Sequence, residues 1–345
     1  MRSFAYVGAL VLVAAVAAPC RAADQPPPPQ MTTVKVGVTD RPDNAALTLA
    51  YRRGYFEKQG IAIEFVGGGA AAQDFVSALG LNQIQVTAGS PSAGLFNALN
   101  RGINIRIVAD WSHVGGADDA TFALVARSDL MDAGTIKVPA DLKGRAIGVG
   151  PQHGAFNDIL ISGALKLGGL SLGDADLEIM GFADGIPAMT SHRLDATELI
   201  EPLVTLAEQK GIARVLVPAG AVDPAAELAV VYFSPEFAKD ADLATRYLAA
   251  FLQGERDYAD AFIDNKDRDA AIAILVQDLS VKDPKLWATA RPQHVDLNGE
   301  INVASLKTQA AFYKAEGAIS GAIPDIDKYV DPQFAAAAVK LIGRR

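Results

Sequence analysis

Three glycines in the stretch GRAIGVGPQHGAF (144–156) form the pattern in this chain that most resembles a chemical site. Gly148, Gly150 and Gly154 follow an apolar run and precede a predicted helix, an arrangement in which backbone N–H groups can bind a phosphate. A dinucleotide loop has the spacing G-x-G-x-x-G, whereas three residues separate Gly150 from Gly154 here, and the chain contains no G-x-x-x-x-G-K-[ST] motif. The spacing therefore favours a role for this loop other than nucleotide binding.

The residue types that perform catalysis show no recognisable arrangement. Cys20 is the only cysteine, and no short spacing joins any of the four histidines, so neither a thiol nucleophile nor a metal site is predicted. The motifs G-x-S-x-G and H-E-x-x-H are absent. A formal net charge of −9 disfavours nucleic acids and anionic membrane surfaces as partners. We expect a protein that is not an enzyme and that uses no cofactor or metal.

The first 22 residues are predicted to be a signal peptide. Arg2 is followed by an apolar run from Phe4 to Ala18 and by small residues up to Ala22, the pattern of a secretory leader. Residues 23–32, with four consecutive prolines, would then form a flexible tail, and the remaining 29 basic and 40 acidic residues give a formal charge of −11. Pro19 makes lipid attachment at Cys20 a poor fit. The expected location is the periplasm.

The chain repeats itself at an offset of about 110 residues. KVGVTDRPDNA (35–45) aligns with AIGVGPQHGAF (146–156), and ALGLNQIQVT (78–87) aligns with AMTSHRLDAT (188–197). In both copies β-rich runs alternate with helical patterns, which predicts βαβ units on parallel sheets and hence two similar α/β lobes. The partner of the glycine loop, TDRPDNA, contains no glycine. Because open α/β sheets place ligands at the carboxyl ends of their strands, we interpret the glycine loop as one lip of a cleft. The predicted strands are 34–38, 61–65, 83–86, 145–149 and 194–199.

Several stretches resemble the extracytoplasmic substrate-binding proteins of bacterial ABC importers, in the branch for nitrate, sulfonates, taurine and thiamine precursors. They are YRRGYFEKQGIAIEF (51–65), ALGLNQIQVTAGSP (78–91), RGINIRIVAD (101–110), DLKGRAIGVG (141–150), LDATELIEP (194–202) and the segment from 297 to 319. The resemblance implies a two-lobed periplasmic binding protein fold of type II, with a ligand cleft between the lobes and two crossing segments as a hinge, expected at 121–130 and 228–237. The implied parts are lobe 1 (33–124), lobe 2 (125–230) and a helical return to lobe 1 (231–345).

Loops at the predicted strand ends provide candidate ligand contacts, each with a structural alternative. Ser90 and Ser92 flank Pro91 at a helix start, where free N–H groups attract an anion or a carbonyl, although Ser90 could simply cap the helix. Glu201 could bind a ligand donor or cap its own helix. Trp111 could stack on a ligand or belong to the core.

Further candidates lie on the two facing lips. Asp40, Arg41 and Asn44 follow the first predicted strand, and Arg41 is suited to a carboxylate or sulfonate unless it is an ordinary exposed loop arginine. Gly69 would allow close backbone approach or only a tight turn. His153 lies in the second lip.

The expected function is that of a monomeric solute-binding component of an ABC importer. It would capture a small organic solute, expected to be anionic (a sulfonate, a carboxylate or a pyrimidine-like compound), and deliver it to a membrane-embedded permease. The alternative is an enzyme on the same fold, such as a pyrimidine-precursor synthase, but the resemblance implies cysteine- and histidine-rich sites for those enzymes. A regulator's effector domain would carry a DNA-binding module and no leader.

Overall fold

A computed structural model describes residues 31–39, 42–67 and 73–345. The predicted signal peptide and nearly all of the proline-rich tail lie outside the described residues, as do three of the candidate ligand contacts, Asp40, Arg41 and Gly69.

Ten strands in the described ranges form two five-stranded sheets. The first sheet has the order β2-β1-β3-β10-β4 and the second the order β7-β6-β8-β5-β9. The strands are β1 (Thr32–Val38), β2 (Ile61–Gly67), β3 (Val86–Gly89), β4 (Arg106–His113), β5 (Phe122–Arg127), β6 (Ala146–Val149), β7 (Asp176–Ile179), β8 (Ala196–Ile200), β9 (Ala213–Pro218) and β10 (Glu227–Phe233).

The two sheets follow one plan, which confirms the predicted two-lobed α/β fold. In each sheet three strands pair with one another in parallel. A fourth strand, β10 in the first sheet and β5 in the second, then pairs antiparallel with one of these three and with the fifth strand, β4 or β9. Strands β1, β2 and β3 correspond to β6, β7 and β8, as the internal repeat predicts. The lobe boundaries at 124 and 230 stay a prediction.

Helices connect and cover the sheets. The α-helices are α1 (Ala45–Arg52), α2 (Tyr55–Lys58), α3 (Gln73–Gly80), α4 (Ala93–Asn100), α5 (Ser128–Asp132), α6 (Phe156–Leu167), α7 (Phe182–Thr190), α8 (Leu203–Gln209), α9 (Ala219–Val222), α10 (Ala241–Phe262), α11 (Arg268–Asp278), α12 (Pro284–Thr289), α13 (Val303–Ala315) and α14 (Gln333–Ile342). Within the described ranges, none of these helices is both long and apolar enough to cross a membrane.

Strand β3 begins three residues later than the prediction of 83–86. Asn82 has a left-handed backbone (φ 55°), and the N–H groups of Asn82 and Gln83 donate to carbonyls of α3. These bonds turn the chain back on the end of the helix, so that regular pairing begins only at Val86.

The crossings between the sheets lie a few residues before the predicted ones. The chain leaves the first sheet after β4 and enters the second at β5, and it returns between α9 and β10. The runs 121–130 and 228–237 instead contain β5 and β10, each of which pairs with a strand on both sides. Their β-rich, apolar sequences reflect burial inside a sheet, since every residue of β5 is buried.

Helix α9, at the start of the return to the first sheet, touches the first crossing. A Cβ atom placed on Gly220 would lie 2.0 Å from the carbonyl oxygen of Gly116, closer than real Cβ contacts allow. Only glycine at 220 permits α9, which precedes the second crossing, to approach the first crossing this closely.

Candidate ligand-binding cleft

A cavity of about 600 Å³ lies between the two sheets. The carboxyl ends of β1 and β3 form one side, the loops after β6 and β8 form the other, and the segment around α12 contributes a third wall. This is where open α/β sheets bind ligands. Aromatic side chains are abundant in its lining: Phe75, Trp111, Phe122, Phe156, Phe182, Tyr247, Tyr258, Phe262 and Trp287.

The glycine loop touches the opposite lobe at one edge of the cavity. The Ala93 N–H, at the start of α4, donates to the Gly154 carbonyl across 2.7 Å. Gly154 has φ +71°, and a Cβ atom there would lie 2.6 Å from the Ala93 Cβ. The loop is therefore a cleft lip, as the repeat indicated, and glycine is required where the two lips meet. We call this junction the lip contact (Ala93 and Gly154).

The amides of the glycine loop are already used within the protein. The Gly150 N–H donates to Glu198 across 2.8 Å, and the Gly154 N–H donates to Asp158 across 2.7 Å. Burial raises the pKa of Glu198 well above its ordinary value and also raises the pKa of Asp158. A phosphate at this loop would face carboxyl groups instead of free N–H groups, which argues against the nucleotide interpretation.

A second junction joins the lobes at the other side of the cleft. Arg291 contacts Glu201 and Glu208 of the second lobe, each across 2.9 Å, and Gln209 donates to Thr289 across 2.7 Å. Arg291 follows α12, in the C-terminal part of the chain. We call the three charged residues the interlobe clamp (Glu201, Glu208 and Arg291).

Glu201 has the capping role considered for it. Its carboxylate accepts hydrogen bonds from the Thr205 N–H and hydroxyl, and so caps the first turn of α8. Burial raises the pKa of Glu201, while Arg291 and Thr205 oppose that rise. Glu201 also lines the cavity and accepts a further hydrogen bond from Arg291 across 2.9 Å. Nothing local in the sequence around Arg291 indicated this pairing.

The two candidate serines separate into different roles. Ser92, which is 3% exposed, caps α4 by accepting a hydrogen bond from the Leu95 N–H across 3.3 Å, and it is absent from the cavity lining in the described chain. Ser90 lines the cavity. Its hydroxyl oxygen is buried and has no hydrogen-bond partner among the described residues. The capping role considered for Ser90 thus belongs to Ser92, and the helix begins two residues later because residue 92 is still extended.

Trp111 and Asn44 are held by the protein and also line the cavity. Trp111 lies within β4, stacks on Phe251 with ring centroids 4.9 Å apart, and donates from Nε1 to the Asp43 carbonyl across 3.0 Å. Asn44 donates to the Thr39 carbonyl across 2.5 Å. Both side chains stabilise the loop that follows β1, so Trp111 belongs to the core and to the cavity wall together.

His153 does not line the cavity in the described chain. Its side chain is 73% exposed, and its Nδ1 lies 3.8 Å from an Asp158 oxygen. The described lining contains its neighbours Pro151, Gln152 and Ala155 but not His153.

Thr121 is a cavity residue that the sequence did not indicate. It lies at the end of the first crossing, is 8% exposed, and its hydroxyl oxygen has no hydrogen-bond partner among the described residues. Ser90 and Thr121 are thus two lining residues whose hydroxyl oxygens are buried and unpartnered among the described residues. No signal in the sequence distinguishes Thr121 from other threonines next to strands. In the described ranges, no group of three or more His, Cys, Asp or Glu side chains could hold a metal ion.

The two sheets and the cleft between them define the two-lobed periplasmic binding protein fold. The chain is similar in structure to the alkanesulfonate-binding protein SsuA of Xanthomonas axonopodis pv. citri bound to MOPS (TM-score 0.66, 18% identity, 87% of this chain and 98% of that one). It is also similar to the aliphatic sulphonate binding protein SsuA of Escherichia coli (TM-score 0.69, 19% identity, 87% and 92%) and to the nitrate-binding protein NrtA of Synechocystis PCC 6803 (TM-score 0.70, 14% identity, 91% and 90%). At these identities the likeness concerns the fold.

The chain belongs to the NMT1/THI5-like family, whose family model matches residues 41–261. A search of curated proteins found no match by sequence.

Proposed function

We propose that this protein is the solute-binding component of an ABC importer. It captures a small organic solute in the periplasm and presents it to a membrane-embedded permease. The observation that carries this proposal is a cavity of about 600 Å³ whose walls come from two lobes that meet at the lip contact and the interlobe clamp. Such a cavity can enclose a solute by closure of the lobes. The SsuA and NrtA structures with the same fold support the proposal.

The composition of the cavity favours binding over catalysis. Its described lining contains no cysteine and no histidine, the residue types on which a pyrimidine-precursor synthase on this fold would depend. Its three charged described residues are Asp43, Glu201 and Arg291, and the last two neutralise each other. No nucleophile is paired with a base there, as covalent catalysis would require.

Four of the candidate ligand contacts line the cavity: Asn44, Ser90, Trp111 and Glu201. Ser90 is the strongest of them because its hydroxyl is free to bind a solute, whereas the other three already have partners in the protein. Arg41 follows β1 in the chain and would supply the positive charge for an anionic solute. We propose that the protein acts as a monomer.

Isothermal titration with nitrate, taurine, alkanesulfonates, aromatic carboxylates and pyrimidines tests this function. We expect saturable binding of one class, with the solute recovered unchanged after prolonged incubation. Conversion of any of these compounds, or failure of all of them to bind, would contradict the proposal.

A further inference from the structure

Two groups of aromatic rings face the cavity from different parts of the chain. Phe122 lies on β5 of the second sheet, and Phe156 and Phe182 begin the helices α6 and α7 that follow strands of that sheet. The ring centroid of Phe122 lies 5.8 Å from that of Phe156 and 5.5 Å from that of Phe182. The contact with Phe182 is edge-to-face, at 86°. Edge-to-face contact is a geometry that aromatic rings prefer. An aromatic ring of a bound solute can add another contact of this kind.

The second group lies on the C-terminal side of the cavity. Tyr258 and Phe262 have centroids 4.9 Å apart, and Phe262 lies 6.1 Å from Trp287. Burial raises the pKa of Tyr258 to about 12, so its ring remains neutral at physiological pH.

Two polar groups of the described lining combine burial with the absence of a hydrogen-bond partner. Arg291 is held by Glu201 and Glu208. The Ser90 hydroxyl, directly after β3, and the Thr121 hydroxyl, directly before β5, are buried and have no hydrogen-bond partner among the described residues. A buried hydroxyl without a partner is costly, which indicates that a bound solute supplies the missing oxygen acceptor.

The size of the cavity also favours an organic solute over a small inorganic one. Its volume of about 600 Å³ falls within the range of about 300–1,000 Å³ that is typical of sites for organic ligands. Nitrate or taurine would fill a small part of it and would leave the aromatic walls without contacts.

We infer that the solute is an aryl carboxylate or aryl sulfonate of one or two rings, with its rings between the two aromatic groups and its oxygen-bearing head group at Ser90 and Thr121. This inference rests on the proposed function and names the substrate class of the same cavity. Ring contacts would provide most of the affinity, because the charged residues of the described lining are largely paired within the protein.

A panel of matched solutes tests the substrate class. The probes are 2-naphthoate, its saturated counterpart decalin-2-carboxylate, nitrate and taurine, measured by isothermal titration and by intrinsic fluorescence. Both tryptophans of the chain, Trp111 and Trp287, line the cavity, so binding there changes their emission. We expect 2-naphthoate to bind at least tenfold more tightly than decalin-2-carboxylate and at least a hundredfold more tightly than nitrate or taurine.

The outcomes separate this inference from the proposed function. If nitrate, taurine or the saturated acid binds as tightly as 2-naphthoate, the aromatic class is wrong and the binding function stands. If none of the four binds but an alkanesulfonate or a pyrimidine does, the aromatic class is again wrong and the binding function again stands. If no solute binds, or if one is converted, both proposals fail.

Two substitutions test the head-group contacts. Ser90→Ala and Thr121→Val remove hydroxyls that have no partner among the described residues, so the thermal midpoint without solute should not fall. Each should weaken 2-naphthoate binding about tenfold. The control is Thr190→Val, which removes a hydroxyl that donates to the Ile186 carbonyl inside α7, outside the lining, and should leave affinity unchanged. Unchanged affinity in both Ser90→Ala and Thr121→Val would overturn the assigned head-group site.

A third substitution tests the ring contacts. Phe182→Leu keeps an apolar side chain but removes the edge-to-face ring, and it should reduce the preference for 2-naphthoate over decalin-2-carboxylate three- to tenfold. Phe312→Leu is the control, because Phe312 is also half-buried but packs on Tyr313, away from the cavity. An equal preference in the two variants would refute the ring assignment.

Discussion

Gly154→Ala should weaken solute binding by preventing the two lips from meeting. An added Cβ atom would lie 2.6 Å from the Ala93 Cβ, so one lip must move and the 2.7 Å hydrogen bond between Ala93 and Gly154 is lost. That bond is worth about 1 kcal/mol, and the overlap adds to the cost of closure. If closure becomes less favourable by about 1–3 kcal/mol, the affinity falls roughly five- to a hundredfold, because the apparent dissociation constant scales inversely with the closed fraction.

Gly169→Ala is the matched control. Gly169 has the same φ of +71°, but nothing lies within 4 Å of an added Cβ there. Both variants therefore carry the left-handed strain of an alanine, about 1–2 kcal/mol, and should lose similar free energy of unfolding in urea. Isothermal titration with 2-naphthoate, or with whichever tested solute binds, and small-angle scattering then separate them. The interpretation of the glycine loop as a closing lip is refuted if the two variants have the same affinity and the same radius of gyration.

Three further results are expected. Glu227→Gln should flatten the pH dependence of stability: burial and the neighbouring Asp110 raise the pKa of Glu227 from 4.5 to about 9, so the folded state keeps a proton that the unfolded chain loses. Wild-type stability should then fall between pH 4.5 and 9 by up to about 1.4 kcal/mol per pH unit, and equal slopes in urea titrations of both proteins would contradict this. Arg291→Gln should weaken solute binding about tenfold by breaking the interlobe clamp; an affinity within twofold of wild type would show that the clamp does not support closure. His153→Ala should change affinity less than twofold, because that side chain is exposed outside the cavity lining, and a larger loss by titration would place it in the site.

The parts of the fold that the sequence predicted are those with a local signal. The internal repeat predicted two lobes because equivalent strands, such as β1 and β6, carry similar patterns of apolar residues and are followed by similar loops. The crossings were predicted a few residues too late because apolar, β-rich residues fit an extended connector and a buried strand equally well. Only pairing on both sides, as in β5 and β10, distinguishes the two.

The site was predicted less completely because its contacts join distant segments. Arg291 meets Glu201 from 90 residues away, and no local pattern encodes that pairing. Thr121 becomes a cavity residue only because the first crossing ends there. The choice between Ser90 and Ser92 as the helix cap depended on a shift of two residues, within the usual uncertainty of helix ends.

The first sheet contains β10, the last strand of the chain to be made, and this limits the order in which the protein can fold. The first sheet needs β10 between β3 and β4, yet β10 is synthesised only after all five strands of the second sheet. A growing chain can therefore complete the second lobe from one continuous segment, while the first lobe stays open at its centre until residue 233 has emerged. We expect a fragment ending before β10 to expose the unpaired edges of β3 and β4, which are templates for aggregation. The second lobe alone is thus the half suited to independent expression.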